Sequence, residues 1–172
     1  MKKASLFILF LLLTLFADAQ SDERGYIVKV GDMAPDIEIS YLDGTVKKLS
    51  DFKGKIVMLQ FTASWCGVCR KEMPYIEKDI WQKHKNNAAF VLIGIDLKET
   101  PEKTEKFARD LKITYPLTLD LEGKSFYTYA AKNAGVTRNI IIDKQGKIVY
   151  LTRLYDPEEF QEMVRLLDKL LK

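Results

Sequence analysis

The sequence predicts an α/β protein built as a three-layer α/β/α sandwich, with helices on the two faces of a mixed sheet. Two apolar segments, at 55–61 and 90–95, are typical of strands that are covered on both faces. A helical repeat of apolar residues over 67–84 joins them, so these strands should be parallel. Turn sequences around Asp43 and over 143–147 predict one β-hairpin near each end of the domain.

The other elements follow from local patterns. Apolar segments between turn residues predict a short edge strand at 26–30 and hairpin strands at 37–41 and 46–49. Thr100 and Pro101 are typical of the start of a helix. Further predictions are a kink at Pro74, an extended segment over 112–119, a weaker helix over 125–131, hairpin strands at 140–142 and 148–150, and a closing helix capped by Asp156.

Composition describes an ordinary globular chain. Its 172 residues include nine Gly, five Pro and two Cys, which excludes collagen-like, low-complexity and disulfide-dense proteins. The formal net charge of +3 is small, and no basic stripe interleaved with aromatic residues is present. Nucleic acid is therefore not an expected partner.

The first residues are typical of a secretory signal peptide. Lys2 and Lys3 precede an apolar stretch over 6–16, and Ala-Asp-Ala at 17–19 is a small-x-small cleavage sequence. The alternative is a permanent membrane anchor, but the apolar stretch is shorter than the roughly 20 residues that a spanning helix needs. We expect cleavage after Ala19, without stable membrane insertion afterwards.

This division leaves residues 1–19 as a signal peptide and residues 20–172 as one domain. The two-lysine start favours export in a bacterium, with the periplasm as the expected location. An oxidising compartment permits a disulfide between the two cysteines.

The chemistry-bearing segment places two cysteines, separated by two residues, between a buried strand and a helix. The helix N-terminus carries partial positive charge, which stabilises a thiolate on Cys66. Cys66 is thus the expected nucleophile, and Cys69 the deeper thiol that resolves a mixed disulfide. A static structural disulfide and a metal site are the alternatives, although the chain offers only this pair and one histidine, His84, as soft ligands. No metal is expected.

The segment Trp65-Cys66-Gly67-Val68-Cys69 resembles the active-site motif of the thioredoxin superfamily. The wider patterns over 43–74 and 142–149 resemble the exported TlpA/ResA-like thiol:disulfide oxidoreductases among the AhpC/TSA-related redoxins. The resemblance covers most of 31–170 and is weak over 98–136. It implies a thioredoxin fold with an N-terminal β-hairpin and a central insertion.

The resemblance also implies a role for Glu72, which matches the acidic residue that handles thiol protons in ResA-like proteins. A buried carboxylate one helical turn after Cys69 could accept its proton. The alternative is a solvated glutamate that pairs with Arg70 or Lys71. Gln60 stands where thioredoxin has a buried aspartate.

Thr137 departs from the family pattern, because it stands where relatives usually have a cis-proline that faces the cysteines. A cis bond before threonine costs about 3 to 4 kcal/mol, so a trans peptide is expected. We expect Thr137 to form the substrate-binding surface together with Trp65, Gly67 and Val68. For Arg138, the alternatives are a thiolate-stabilising residue and an exposed residue at a strand end.

The predicted function is exchange of the Cys66–Cys69 disulfide with disulfides of substrate proteins, and the resemblance implies that the protein acts as a reductase. The resemblance implies no cofactor beyond this redox-active disulfide, and electrons from a membrane thiol transporter. One alternative is a peroxiredoxin-like peroxide reductase, although Leu59 and Ala63 replace the Pro and Thr of that motif. Another is a degenerate binding module without the cis-proline. The sequence leaves reductase, oxidase and isomerase undistinguished.

Overall fold

The computed structural model describes residues 24–172, so the predicted signal peptide lies outside the described residues. Within this range, seven strands form one mixed sheet. The strands are β1 (Glu38–Tyr41), β2 (Val46–Lys48), β3 (Ile56–Thr62), β4 (Phe90–Leu97), β5 (Leu117–Asp120), β6 (Arg138–Ile142) and β7 (Ile148–Arg153). The helices are α1 (Gly67–Ile76), α2 (Gln82–His84), α3 (Pro101–Leu111), α4 (Lys124–Tyr129) and α5 (Pro157–Leu170).

The strand order is β2-β1-β5-β4-β3-β6-β7. As predicted, β3 lies inside the sheet, is buried along its whole length and pairs parallel with β4. The hairpin of β6 and β7 closes one edge, with β6 antiparallel to β3. The N-terminal hairpin extends the other edge through β5, and the range 98–136, over which the family resemblance is weak, forms α3, β5 and α4.

Side chains that alternate along β3 contact helices on opposite faces of the sheet. On one face, Thr62 donates a hydrogen bond to the Met73 sulfur of α1 at 3.2 Å. On the other face, the Phe61 ring meets Phe126 and Tyr129 of α4, with ring centroids 5.5 and 5.9 Å apart. The three-layer prediction is thereby confirmed.

The helix after the cysteines spans 67–84, as predicted, but it is less regular than a single α-helix with a kink. Pro74 lies inside α1, and the chain then continues through a π-helical turn over Glu77–Trp81 into α2. Proline removes one helix hydrogen bond, and π-helical turns accommodate such local irregularity.

One local prediction was wrong. The 26–30 segment forms no strand, because its pairing is limited to an isolated bridge between Tyr26 and Ala130. The prediction of a helix start at Thr100 and Pro101 is confirmed, because Thr100 is the N-cap of α3 and Pro101 its first residue, although the Thr100 side chain makes no capping hydrogen bond. Within residues 24–172, no helix has the length and apolar character needed to cross a membrane.

Gly94 permits close packing between β4 and the start of β5. A methyl group at this position would collide with the Leu117 side chain and come within 3.2 Å of the Tyr115 ring. Both neighbours are themselves buried, so neither can move without disturbing the core.

Gly94→Ala should therefore lower the free energy of unfolding by about 1 to 3 kcal/mol. The matched control is Gly135→Ala, because an added methyl there meets no atom within 4 Å. Urea unfolding of both variants checks this expectation. Equal stability of the two variants would contradict the packing argument.

Candidate active site

The two cysteines lie where β3 runs into α1. They form a disulfide, with Cα atoms 5.3 Å apart. Cys66 is the N-cap of α1, and its sulfur accepts a hydrogen bond from the Cys69 N–H at 3.1 Å. Cys69 is fully buried, whereas Cys66 is partly exposed. The pair is thus asymmetric, with one sulfur near the surface and one beneath it.

The local sequence explains this placement. Ala63 is buried after the last residue of β3, and its carbonyl accepts the Cys66 N–H at 3.1 Å, which turns the chain towards the helix. The first turn of α1 contains no acidic residue. The partial positive charge of the helix start is therefore not offset locally, which favours a thiolate at Cys66.

Thr137 faces both sulfurs from the segment just before β6. Its Oγ1 atom is 3.1 Å from Cys66 Sγ and 3.2 Å from Cys69 Sγ, and the residue is only 2% exposed. Because the described residues contain no cis peptide bond, the Val136–Thr137 bond is trans, as expected.

Glu72 is buried rather than solvated, with 1% exposure, so the alternative of a surface pair with Arg70 or Lys71 is wrong. Burial raises the pKa of Glu72 to about 8, while a hydrogen bond from the Asn139 amide at 2.7 Å opposes the rise. Its Oε2 atom has no hydrogen-bond partner of ordinary geometry among the described residues. The carboxyl group can thus exchange a proton near neutral pH.

A network of hydrogen bonds next to Glu72 holds this carboxyl group in place. The Asn139 amide also donates to Thr152 Oγ1 at 2.9 Å. The Tyr26 hydroxyl contacts the Asn139 carbonyl at 3.2 Å and donates to the Thr152 carbonyl at 2.6 Å. These contacts join β6, β7 and the N-terminal segment, which explains why Tyr26 is buried although it forms no strand.

A second acidic group supports the loop before the cysteines, and the sequence analysis missed it. Glu99 accepts hydrogen bonds from the Ser64 N–H at 2.5 Å and from the Ser64 hydroxyl at 2.7 Å. Nearby Asp96 accepts one from Thr104 at 2.6 Å, and burial, reinforced by the charge of Glu99, raises the pKa of Asp96. A serine hydroxyl two residues before Cys66 was the only available sign of such a contact.

Arg138 is fully buried, so the expectation of an exposed strand-end residue was wrong. Its guanidinium donates to the Arg24 carbonyl at 2.8 Å and lies 4.6 Å from the centre of the Tyr26 ring. Arg138 thus fastens the N-terminal segment to the sheet.

The surface around Cys66 is partly apolar. Trp65 is 66% exposed, Gly67 is exposed and Val68 is half-buried.

A cavity of about 220 Å³ lies at the opposite end of β3, where Val57 pairs with Ile142, and so does not adjoin the cysteines. Within residues 24–172, no group of three or more His, Cys, Asp or Glu side chains is arranged to hold a metal ion.

Comparison with known proteins agrees with this geometry. The thiol-disulfide oxidoreductase ResA of Bacillus thuringiensis is 32% identical over 131 residues, which is 73% of this chain and 73% of ResA. The solution structure of a putative protein disulfide isomerase from Bacteroides thetaiotaomicron is 58% identical, with a TM-score of 0.83 over 86% of this chain and 92% of that one.

A putative thiol:disulfide interchange protein DsbE from Chlorobium tepidum is 26% identical, with a TM-score of 0.72 over 84% of this chain and 99% of that one. The model of the Redoxin family matches residues 29–170. With its cysteine pair at the start of a helix, the chain belongs to the Redoxin family and is a thiol-disulfide oxidoreductase of thioredoxin fold.

Proposed function

We propose that this protein is an exported reductase of protein disulfides, with Cys66 as the attacking sulfur and Cys69 as the resolving one. The observation that carries the proposal is the asymmetry of the pair. Cys66 is partly exposed and caps the helix, whereas Cys69 is buried beneath it. A substrate sulfur can therefore approach Cys66 but not Cys69.

The reaction takes two exchange steps. The Cys66 thiolate attacks a substrate disulfide, a new S–S bond forms, and one substrate sulfur leaves as a thiolate. Cys69 then loses its proton and attacks Cys66 Sγ, which breaks the mixed disulfide and releases the second substrate sulfur. Two electrons pass to the substrate, and a dithiol donor must reduce the protein again. We expect a membrane thiol transporter as that donor.

Glu72 is the proposed proton acceptor for Cys69. It lies one helical turn further along α1, and both residues are buried. A carboxyl group with a pKa of about 8 is partly ionised near neutral pH, when a buried thiol needs a base. The same group can return the proton to a leaving sulfur.

The substrate should dock across Trp65, Gly67, Val68 and Thr137. Three of these residues flank Cys66 in sequence, and the fourth contacts its sulfur. The exposed indole offers a broad apolar contact for an extended peptide.

The N-terminal sequence at 1–19 supports export and a periplasmic location. The direction of electron flow rests on the resemblance to ResA-like proteins, which supports reduction. The relatives named as thiol-disulfide oxidoreductases support disulfides of proteins as the substrate class.

Cys69→Ala should trap a mixed disulfide with a substrate protein, because the resolving sulfur is absent. Cys66→Ala is the matched control, since it retains one cysteine of the pair and should form no adduct. Mass spectrometry under non-reducing conditions, after reaction with insulin, measures both. Adducts on Cys66→Ala but not on Cys69→Ala would reverse the assigned roles.

Glu72→Gln should slow release of the substrate from the mixed disulfide by roughly 100-fold at neutral pH, because an amide cannot accept the Cys69 proton. The inflection near pH 8 in the rate profile should disappear with it. Stopped-flow kinetics measures this, with the exposed Glu102→Gln as control. An unchanged rate and profile would remove Glu72 from the mechanism.

The same substitution should change how stability depends on pH. The raised pKa of Glu72 means that the unfolded chain releases the proton near pH 4.5 and the folded protein only near pH 8. The free energy of unfolding therefore falls as pH rises between these values, by about 1.4 kcal/mol per pKa unit. In Glu72→Gln this part of the fall should vanish, as urea unfolding at several pH values would reveal. Parallel curves for the two proteins would contradict the burial of an acidic group here.

A further inference from the structure

The hydroxyl of Thr137 has an unusual set of neighbours. Among the described residues, its only hydrogen-bond partners are the two sulfurs of the disulfide, at 3.1 and 3.2 Å. Disulfide sulfurs carry no hydrogen, so the hydroxyl must be the donor in this state. A proline at the same position could make neither contact, because its ring has no polar hydrogen.

Reduction of the disulfide strengthens the hydrogen bond from the Thr137 hydroxyl to Cys66. Cys66 becomes a thiolate, a far better acceptor than a neutral disulfide sulfur, while Cys69 gains an S–H that can donate. The hydroxyl can then donate to Cys66 and accept from Cys69 at the same time. Both Thr137 and Cys69 are shielded from water, which strengthens hydrogen bonds to a charged sulfur.

We propose that Thr137 is a catalytic residue whose hydroxyl donates a hydrogen bond to the Cys66 thiolate and stabilises the reduced form of the pair. This inference rests on the proposed role of Cys66 as the attacking sulfur. The thiolate then has two donors from different parts of the fold: the Cys69 N–H within α1 and the Thr137 O–H before β6.

The hydroxyl acts in both exchange steps without itself gaining or losing a bond to sulfur. Before the first step, it keeps Cys66 ionised. After Cys66 has attacked, its sulfur is neutral again, and the hydroxyl can accept the Cys69 S–H until the proton leaves. The electrons move only between sulfurs, and the dithiol donor named above restores the reduced state.

Thr137→Val tests the donor, because valine keeps the branched shape and replaces the hydroxyl with a methyl group. A hydrogen bond to a charged group is worth enough to shift a pKa by about one unit. The pKa of the Cys66 thiol, followed by thiolate absorbance, should therefore rise by about one unit. Thr137→Ser retains the hydroxyl and should stay within a few tenths of a unit of the unaltered protein.

Two further readouts follow from the same shift. At a pH below the thiol pKa, a rise of one unit lowers the fraction of thiolate tenfold. The thiolate of the less acidic thiol is more nucleophilic, which offsets part of this loss, so alkylation of Cys66 should slow about threefold. The reduced form also loses stabilisation relative to the disulfide. The reduction potential should therefore fall by about 30 mV, which is the equivalent of a tenfold change for two electrons.

Thr118→Val is the control for loss of a buried threonine hydroxyl elsewhere in the sheet. Thr118 is also fully buried, but its hydroxyl donates to the Gly94 carbonyl and contacts no cysteine. This variant should leave the thiol pKa and the potential unchanged. Should Thr137→Val fail to fold, Thr137→Ser and Thr137→Ala form a second pair that differs only in the hydroxyl.

A hydroxyl-free variant that folds and keeps the thiol pKa within about 0.2 units of the unaltered protein would overturn the inference. The proposed function is tested separately. If the unaltered reduced protein reduces no disulfide substrate, the proposed function fails, and the thiol pKa can still be measured to test the role of Thr137. If the unaltered protein turns over normally and removal of the hydroxyl leaves the thiol pKa unchanged, only the role of Thr137 is contradicted.

Discussion

The hydrogen bond from the Cys69 N–H to the Cys66 sulfur is the contact on which the site depends. It exists because Cys66 caps α1, so that an otherwise unpaired amide at the helix start points at the sulfur. The same geometry places Cys69 one turn inside the helix and under the surface. The pair is therefore asymmetric, with Cys66 partly exposed at the helix start and Cys69 buried.

The sheet contributes side chains that contact the disulfide and Glu72. Residues from β6 and its preceding loop meet α1 at two levels, with Thr137 at the sulfurs and Asn139 at Glu72. Because β6 pairs with β3, which leads directly into the cysteine segment, Thr137 and Asn139 are held in a defined position relative to the disulfide and to Glu72. Burying Glu72 costs stability whenever it ionises, and the Asn139 bond recovers only part of that cost.

The central strands and the position of the cysteine pair could be predicted from the sequence because they depend on local residue patterns. The apolar segments that became β3 and β4 are buried on both faces, which leaves a continuous hydrophobic signature. The cysteine spacing at the start of a helix likewise marks the reactive pair directly. Even the trans bond before Thr137 followed from the cost of the alternative.

Long-range polar contacts could not be predicted in the same way. Nothing near Glu72 in sequence shows that Asn139 will cover it, and nothing near Ser64 reveals Glu99, which lies 35 positions away. The apolar pattern of 26–30 suggested an edge strand, yet Tyr26 instead reaches across to β6 and β7. Which strand lies beside which helix decides these contacts, and a single sequence does not encode that in local spacing.

Reversible two-electron oxidation and reduction of the Cys66–Cys69 pair is the central claim, and a redox titration in glutathione or dithiothreitol buffers tests it most directly. The account predicts one reversible two-electron transition of this pair, with a midpoint nearer the thioredoxin value of about −270 mV than the DsbA value of about −120 mV. A pair that stays oxidised or reduced across the whole range would contradict it. A reversible midpoint near −120 mV would contradict its assignment as a reductase.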